Sequence, residues 1–280
     1  MYKLLLKLLL IFLTFNLSIS KIPTKYYYNS RIHNFGNIGL GGHLHSLLAP
    51  YATTMIDNKC YNSVNIRQLI LSKYNQEFYK NHERLPKLID LCCGTGTSTA
   101  TNQLGIDTSE PMISKAKLSA AKLSAATLSA ATSSKAKLSK ATLSTATLST
   151  ATSSAETSSK AHTKFIIGNA ENYGQEDEFD TATLMFAFHE MPNYAHHKII
   201  KNAKKITKHD TIIVDISPNY SPSKLMLSGE PYLLNYKATI QELLTQHKFT
   251  YLEYIPNHVG LWVYSHKNNQ NHLINNLYHK

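Results

Sequence analysis

The run Leu88-Ile89-Asp90-Leu91-Cys92-Cys93-Gly94-Thr95-Gly96-Thr97-Ser98-Thr99 constrains this chain more than any other stretch. A short apolar segment, Lys87–Leu91, that carries an acidic residue and breaks into a glycine turn reads as a buried strand delivered to the rim of a cleft. Gly94 and Gly96 suit a backbone that must turn sharply and let a ligand approach with no Cβ in the way. The pattern predicts a helix opening over Gly94–Ala100, whose first N–H groups would hold a carboxylate, and a second strand over Leu104–Asp107. Only ten residues separate Gly96 from Asp107, so that helix has room for two turns or less at about 1.5 Å rise per residue.

Alternation continues beyond this unit. Pro111 starts another helix with Ser109 as its N-cap; strands follow at Phe165–Gly168, Thr181–Phe186 and Thr211–Ile216, with a helix near Ala195–Lys208 between the last two. Such a rhythm argues for an α/β fold, a parallel sheet with helices on both faces. The C-terminal part breaks it: a helix over Ile240–His247 precedes strands Phe249–Ile255 and Val259–His266 around Pro256-Asn257-His258, a hairpin that puts an antiparallel strand at or near the sheet edge. Upstream, Leu44, Leu47, Leu48 and Tyr51 follow one helical stripe and Ile66, Leu69 and Ile70 begin a second, so residues 21–84 read as an N-terminal helical cap. Residues 85–280 form the main domain.

Residues 115–162 interrupt that domain with a low-complexity, pentapeptide-like repeat insertion. Units such as KAKLS, KATLS and TATLS recur every five residues, under a longer period of twenty. Three readings are open: a disordered or loosely helical expansion, a prolongation of the helix begun at Pro111, or a short pentapeptide coil. This stretch also carries most of the net charge of +11, since residues 115–164 hold eight Lys against one Glu. A basic balance concentrated in one insertion argues against a nucleic-acid partner.

The first twenty residues form a signal or targeting segment: Lys3 and Lys7 precede the apolar run Leu8–Leu13, and Ser18-Ile19-Ser20 offers small residues before a cut at Lys21. The apolar stretch is shorter than the roughly 20 residues a membrane-spanning helix needs, so cleavage is favoured over a retained membrane anchor. Three cysteines, two of them adjacent, provide no disulfide framework. An organelle lumen or a membrane-associated location therefore suits the chain better than the extracellular space. Histidines 33, 43, 45, 196 and 197 have no Cys or carboxylate partners at zinc-like spacing, which argues against a metal site.

The 88–99 run resembles motif I of class I S-adenosylmethionine (SAM)-dependent methyltransferases, and GIDTSEPMI at 105–113 resembles their next motif in the expected order. The pair Cys92-Cys93 before Gly-Thr-Gly, with Cys92 where many relatives have glycine, also resembles ubiquinone- and menaquinone-pathway methyltransferases. The resemblance implies a Rossmann-like methyltransferase sheet and SAM as cofactor. It implies that Asp107 accepts hydrogen bonds from the ribose hydroxyls, that Met112 packs on adenine, that Asp90 orients the methionine end, and that Cys92, Gly94, Thr95, Gly96 and Thr108 complete the cradle. A vicinal diol wants a two-oxygen acceptor, and an adenine ring a soft apolar platform.

FIIGNAENYG at 165–174 resembles the family's third motif, in which Asn169, beside Ala170, would read the adenine amino group; the family more often has Asp there, but an amide oxygen can accept the same bond. FDTATLMFAFHEMP at 179–192 resembles the fourth strand and the turn after it, which places Phe186, Phe188, His189 and Glu190 at the carboxyl end of a strand, where open α/β sheets bind ligands. His189, with an ordinary pKa near 6.5, is the residue expected to take a proton from the methyl acceptor, with Glu190 beside it; the alternative is that His189 positions the loop or the substrate. Ser217-Pro218-Asn219-Tyr220 follows the fifth strand rather than the fourth and reads as a loop.

The apolar and aromatic segment Ser221–Tyr236, facing the cap and the His189 turn, implies a small, lipophilic acceptor methylated on oxygen or carbon. Two other readings stand beside it, a nucleic-acid or protein methyltransferase and a degenerate SAM-binding protein without activity. The short helix after Gly96 is what keeps the last of these open.

Overall fold

The computed structural model describes residues 25–99, 103–125, 163–267 and 269–278. Two short 3₁₀ turns, Tyr26–Tyr28 and Ile32–Asn34, lead into α1 (Gly39–Cys60) and α2 (Ile66–His82). Then come β1 (Leu88–Leu91), β2 (Leu104–Asp107), a helix α3 over residues 110–125, β3 (Lys164–Ile167), β4 (Phe179–Met185), α4 (Asn193–Ile206) and β5 (Thr207–Ile216). The chain closes with α5 (Lys224–Gly229), α6 (Leu233–Gln246), β6 (Thr250–Ile255), β7 (Val259–Ser265) and α7 (Gln270–Tyr278).

The seven strands form one sheet in the order β3-β2-β1-β4-β5-β7-β6. β1 to β5 run parallel to one another, while β7 runs antiparallel to both β5 and β6. The hairpin expected at the C-terminus is therefore present, with β6 on the outside edge. Strand order reverses between β1 and β4, and at such a reversal the loops leaving the carboxyl ends diverge and open a crevice.

Successive residues of a strand face opposite sides, and the central strands here are apolar on both. On one face Ile89, Leu91, Ala182, Leu184, Ile213 and Trp262 meet α4 and α6 through Ile199, Ile200, Ala203, Ile240 and Leu244. On the other, Leu88, Ile212, Val214, Leu261 and Val263 meet α2 and α7 through Ile70, Leu71, Phe78, Ile274 and Leu277. Each large aliphatic side chain so buried contributes about 1.5–3 kcal/mol. A smaller cluster of Cys93, Ile113, Ala116 and Phe165 packs α3 against the sheet beside the glycine turn.

One sequence expectation changes. No helix opens at Gly94: residues 94–99 make turns, and residues 100–102 lie outside the described residues. Gly94 and Gly96 take φ of +53° and +79°, a left-handed backbone that cannot propagate a helix. The hydroxyls of Ser98 and Thr99 are then spent on Asp90 rather than on a helical turn. Of the three readings of the repeat, prolongation of the helix begun at Pro111 holds for its start: α3 runs on through residue 125, eleven residues into the insertion; the rest of the repeat, like residues 1–20, lies outside the described residues.

One buried polar contact ties α2 to the sheet. The Tyr74 hydroxyl donates to Asp210 Oδ2 at 2.7 Å and also meets Thr181 Oγ1, all three groups being buried. Tyr74→Phe leaves the carboxylate of Asp210 short of a donor, and we expect a loss of about 1–3 kcal/mol in urea unfolding. A change below about 0.5 kcal/mol, the range of neutral surface substitutions, would contradict this role.

Candidate active site

The glycine turn after β1, the start of α3 after β2, the 169–173 turn after β3 and the 186–191 turn after β4 all line one cavity of about 580 Å³, within the usual range for a small-molecule site. The cap closes its other side, with Asn37, His45, Leu48 and Ile56 among the lining residues. Asn37 anchors the cap to the sheet domain, because its carbonyl accepts from Ser109 Oγ at 2.5 Å and its amide oxygen meets His45 Nδ1 at 3.0 Å.

Asp107, at the end of β2, sits in this wall. Its Oδ2 accepts from Gly94 N–H at 2.9 Å and its Oδ1 from Ser109 N–H at 2.8 Å. Burial pushes its carboxyl up to about 6, against the pull of those two backbone donors. Gly94 matters twice here. It holds the left-handed turn, and a Cβ built on it would meet nothing within 4 Å, so its backbone faces open space. At Gly96, by contrast, a Cβ would lie 2.7 Å from the Phe165 ring; that glycine serves packing and does not line the cavity.

Cys92, Thr95, Thr108, Met112, Asn169, Ala170 and Phe186 line the same cavity. Asn169 Oδ1 accepts from Glu171 N–H at 2.9 Å, and Asn202 Nδ2 holds the Ala170 and Tyr173 carbonyls, which fixes this turn. Cys92 and Phe186, at the ends of the adjacent strands β1 and β4, both have left-handed φ, 60° and 57°. For residues other than glycine this costs about 1 kcal/mol or more each, and such strain collects at functional clefts. All three cysteines are free thiols.

Asp90 does not line the cavity. It is fully buried, with Oδ2 accepting from Ser98 Oγ at 2.8 Å and Thr99 Oγ1 at 2.7 Å and Oδ1 from Thr183 Oγ1 at 3.2 Å. Burial raises its carboxyl to about 6 despite these donors. Its place is beneath the glycine turn, which its bonds to Ser98 and Thr99 brace.

The second half of the cavity carries a chain of charges that sequence spacing did not bring together. Asp215, at the end of β5, accepts from Ala187 N–H (3.1 Å), Phe188 N–H (2.7 Å) and His189 Nδ1 (2.6 Å), so one buried carboxylate shapes the whole turn after β4. His189 Nε2 stands 4.0 Å from Glu190 Oε1. Glu190 Oε1 in turn accepts from His33 Nε2 at 2.7 Å, and His33 Nδ1 is 2.6 Å from Glu230 Oε1. A ring with a carboxylate on each nitrogen is an imidazolium donating from both. Burial opposes its charge, but Glu190 and Glu230 hold its pKa well above 6.5. Reciprocally, burial would raise Glu190, but His33 outweighs that and draws it down to about 2. His33 has φ 50°, a strained backbone kept by this clamp.

His189 is likewise affected. Burial alone would lower its pKa; the Asp215 carboxylate overrides this and raises it to about 9. The imidazole expected to take a proton near neutral pH thus already holds one there. Its Nε2–H is a charged donor facing the cavity side of the turn, suited to stabilising negative charge.

A model of the ubiE/COQ5 methyltransferase family matches residues 62–252. Among solved structures, magnesium protoporphyrin IX methyltransferase from Synechocystis PCC 6803 with bound SAM is similar over 88% of this chain and 99% of its own, with a TM-score of 0.52 at 12% identity. The PH0226 protein from Pyrococcus horikoshii OT3 is similar over 77% of this chain and 98% of its own, with a TM-score of 0.44 at 17% identity. At such identities the first likeness is one of fold. No curated protein matches the chain.

Because the folded His189 pKa lies above its unfolded value, its stabilisation is complete below about pH 6.5 and is lost as pH rises through about 9. We expect the stability gap between wild type and His189→Gln, read by chemical unfolding, to be on the order of 3 kcal/mol larger at pH 6 than above pH 10. A gap independent of pH would remove the charged state assigned to this imidazole.

Proposed function

This chain belongs to the ubiE/COQ5 methyltransferase family and is a SAM-dependent methyltransferase, and we propose that it methylates a small, lipophilic acceptor on oxygen or carbon. The observation that carries the proposal is the shape and chemistry of the cavity. It is bounded by four strand-end turns on one side and by the cap on the other, and apolar side chains such as Leu48, Ile56, Ile216 and Met226 stand beside the charged His33–Glu190–His189 chain. A pocket lidded in this way favours a small molecule over a macromolecular strand or surface.

The residues present fit the cofactor. Asp107 offers a carboxylate to a diol, the open Gly94 backbone admits close approach, Met112 gives an apolar platform, and Asn169 and Ala170 lie on the same wall. Bound SAM supplies an electrophilic methyl group on a sulfonium. The chain's own work is alignment: holding acceptor and methyl donor at contact distance makes the displacement effectively unimolecular and can supply about 7–11 kcal/mol of the barrier. His189, as an imidazolium fixed by Asp215, would stabilise an acceptor that attacks as its anion. Glu190, kept ionised by His33, would hold that imidazolium from the other side.

The location proposed from residues 1–20, an organelle lumen or a membrane surface, rests on sequence alone. No helix among the described residues is long and apolar enough to cross a membrane.

Titration calorimetry with SAM tests the cradle: Asp107→Ala should weaken binding at least about 10-fold, the worth of a charge-assisted hydrogen bond, and unchanged affinity would refute the ribose assignment. For the acceptor, the purified full chain incubated with methyl-labelled SAM and fractionated cell extract should label the lipid-soluble small-molecule fraction. Label confined to protein or nucleic acid would overturn the proposal.

A further inference from the structure

With Asp90 turned under the glycine loop, the amino-acid end of the cofactor needs another holder, and the cavity wall contains one charge that fits. Arg67 lies in the first turn of α2, where the helix dipole is positive, and its side chain is only 9% exposed. Burying a guanidinium is costly unless it is fully paired. Yet among the described residues its one hydrogen bond is a long one, 3.5 Å from Nη1 to Asp57 Oδ1. Its Nε and Nη2 are not among the sealed, partnerless polar atoms, and Arg67 lines the cavity, so these donors are open to it.

The guanidinium is also aimed. It stacks 4.1 Å above the Phe186 ring, whose own backbone is held in a left-handed conformation at the end of β4. The neighbouring residue on α2, Gln68, donates to the Thr97 carbonyl at 3.4 Å and so ties this helix turn to the glycine loop. A planar fork fixed against a ring beside that loop, with most of its N–H groups unused, is built for a two-oxygen anion.

We propose that Arg67 binds the methionine carboxylate of SAM through its cavity-facing N–H groups, with Phe186 and Asp57 orienting the guanidinium. The proposal rests on the cofactor reading above and assigns to α2 the part that motif resemblance gave to Asp90. It makes the cap helices part of the cofactor site, joined to the sheet by a salt link that forms on binding.

Calorimetric titration of the full chain with two probes, SAM and decarboxylated SAM, isolates the carboxylate. Wild type should bind SAM about 10- to 100-fold more tightly than the decarboxylated form. Arg67→Met should abolish that difference by weakening SAM alone, and Arg67→Lys, which keeps the charge and serves if the Met variant does not fold, should reduce it several-fold. Equal affinity of wild type for both probes would overturn the Arg67 assignment while leaving the cofactor reading intact, as would equal weakening of both by Arg67→Met. Failure of wild type to bind either probe would instead sink the cofactor reading and the assignment with it.

Discussion

The cleft depends on a carboxylate shared between two loops. Asp107 leaves β2 and is gripped by Gly94 N–H from the turn after β1 and by Ser109 N–H from the start of α3. Two backbone donors on one half-buried side chain set the spacing of both loops. That spacing exists because strand order reverses next door, between β1 and β4, so that the loops part rather than pack. Loss of the Asp107 grip would free the glycine turn and the α3 start together, and the wall of the cavity with them.

The opposite wall repeats this logic with a longer chain of charge. Asp215 shapes the turn after β4 through three donors, His189 passes the field to Glu190, and His33 carries it on to Glu230. Three carboxylates and two imidazoliums nearly balance, which lets Asp215, His189 and Glu230 be buried where a lone charge would be expelled, while His33 and Glu190 stay half-buried. The balance is incomplete at Glu230, whose Oε2 is sealed from solvent with no hydrogen-bond partner among the described residues. Because His33 belongs to the segment before α1, its pairs with Glu190 and Glu230 tie that segment to the turn after β4 and to the end of α5.

Much of the fold was legible because it is written in local pattern. Short apolar runs ending in Asp, Gly or Asn marked the strands of the parallel sheet, and Pro256-Asn257-His258 marked the hairpin. The helix expected at Gly94 failed for a local reason as well: two positive-φ glycines followed by hydroxyls that prefer a buried carboxylate over helical hydrogen bonding. Sequence order brought Asp107, Met112, Asn169, Ala170, His189 and Glu190 to one cavity. It did not reveal His33, Glu230 or Asp215, since their partners are far away in sequence, His33 meeting Glu190 across 157 positions, nor Arg67, whose stacking partner Phe186 lies on a distant strand end. The one available signal was Asp215 itself, an acidic residue near the end of an apolar strand, the same pattern that drew attention to Asp90 and Asp107.

A crystal structure of the full chain soaked with S-adenosylhomocysteine tests the central claim most directly. The account predicts ribose hydroxyls within hydrogen-bond distance of both Asp107 oxygens and the adenine ring lying against Met112, with Asp90 still bound to Ser98 and Thr99. A ligand seated elsewhere, or an Asp107 carboxylate turned away from it, would contradict the account.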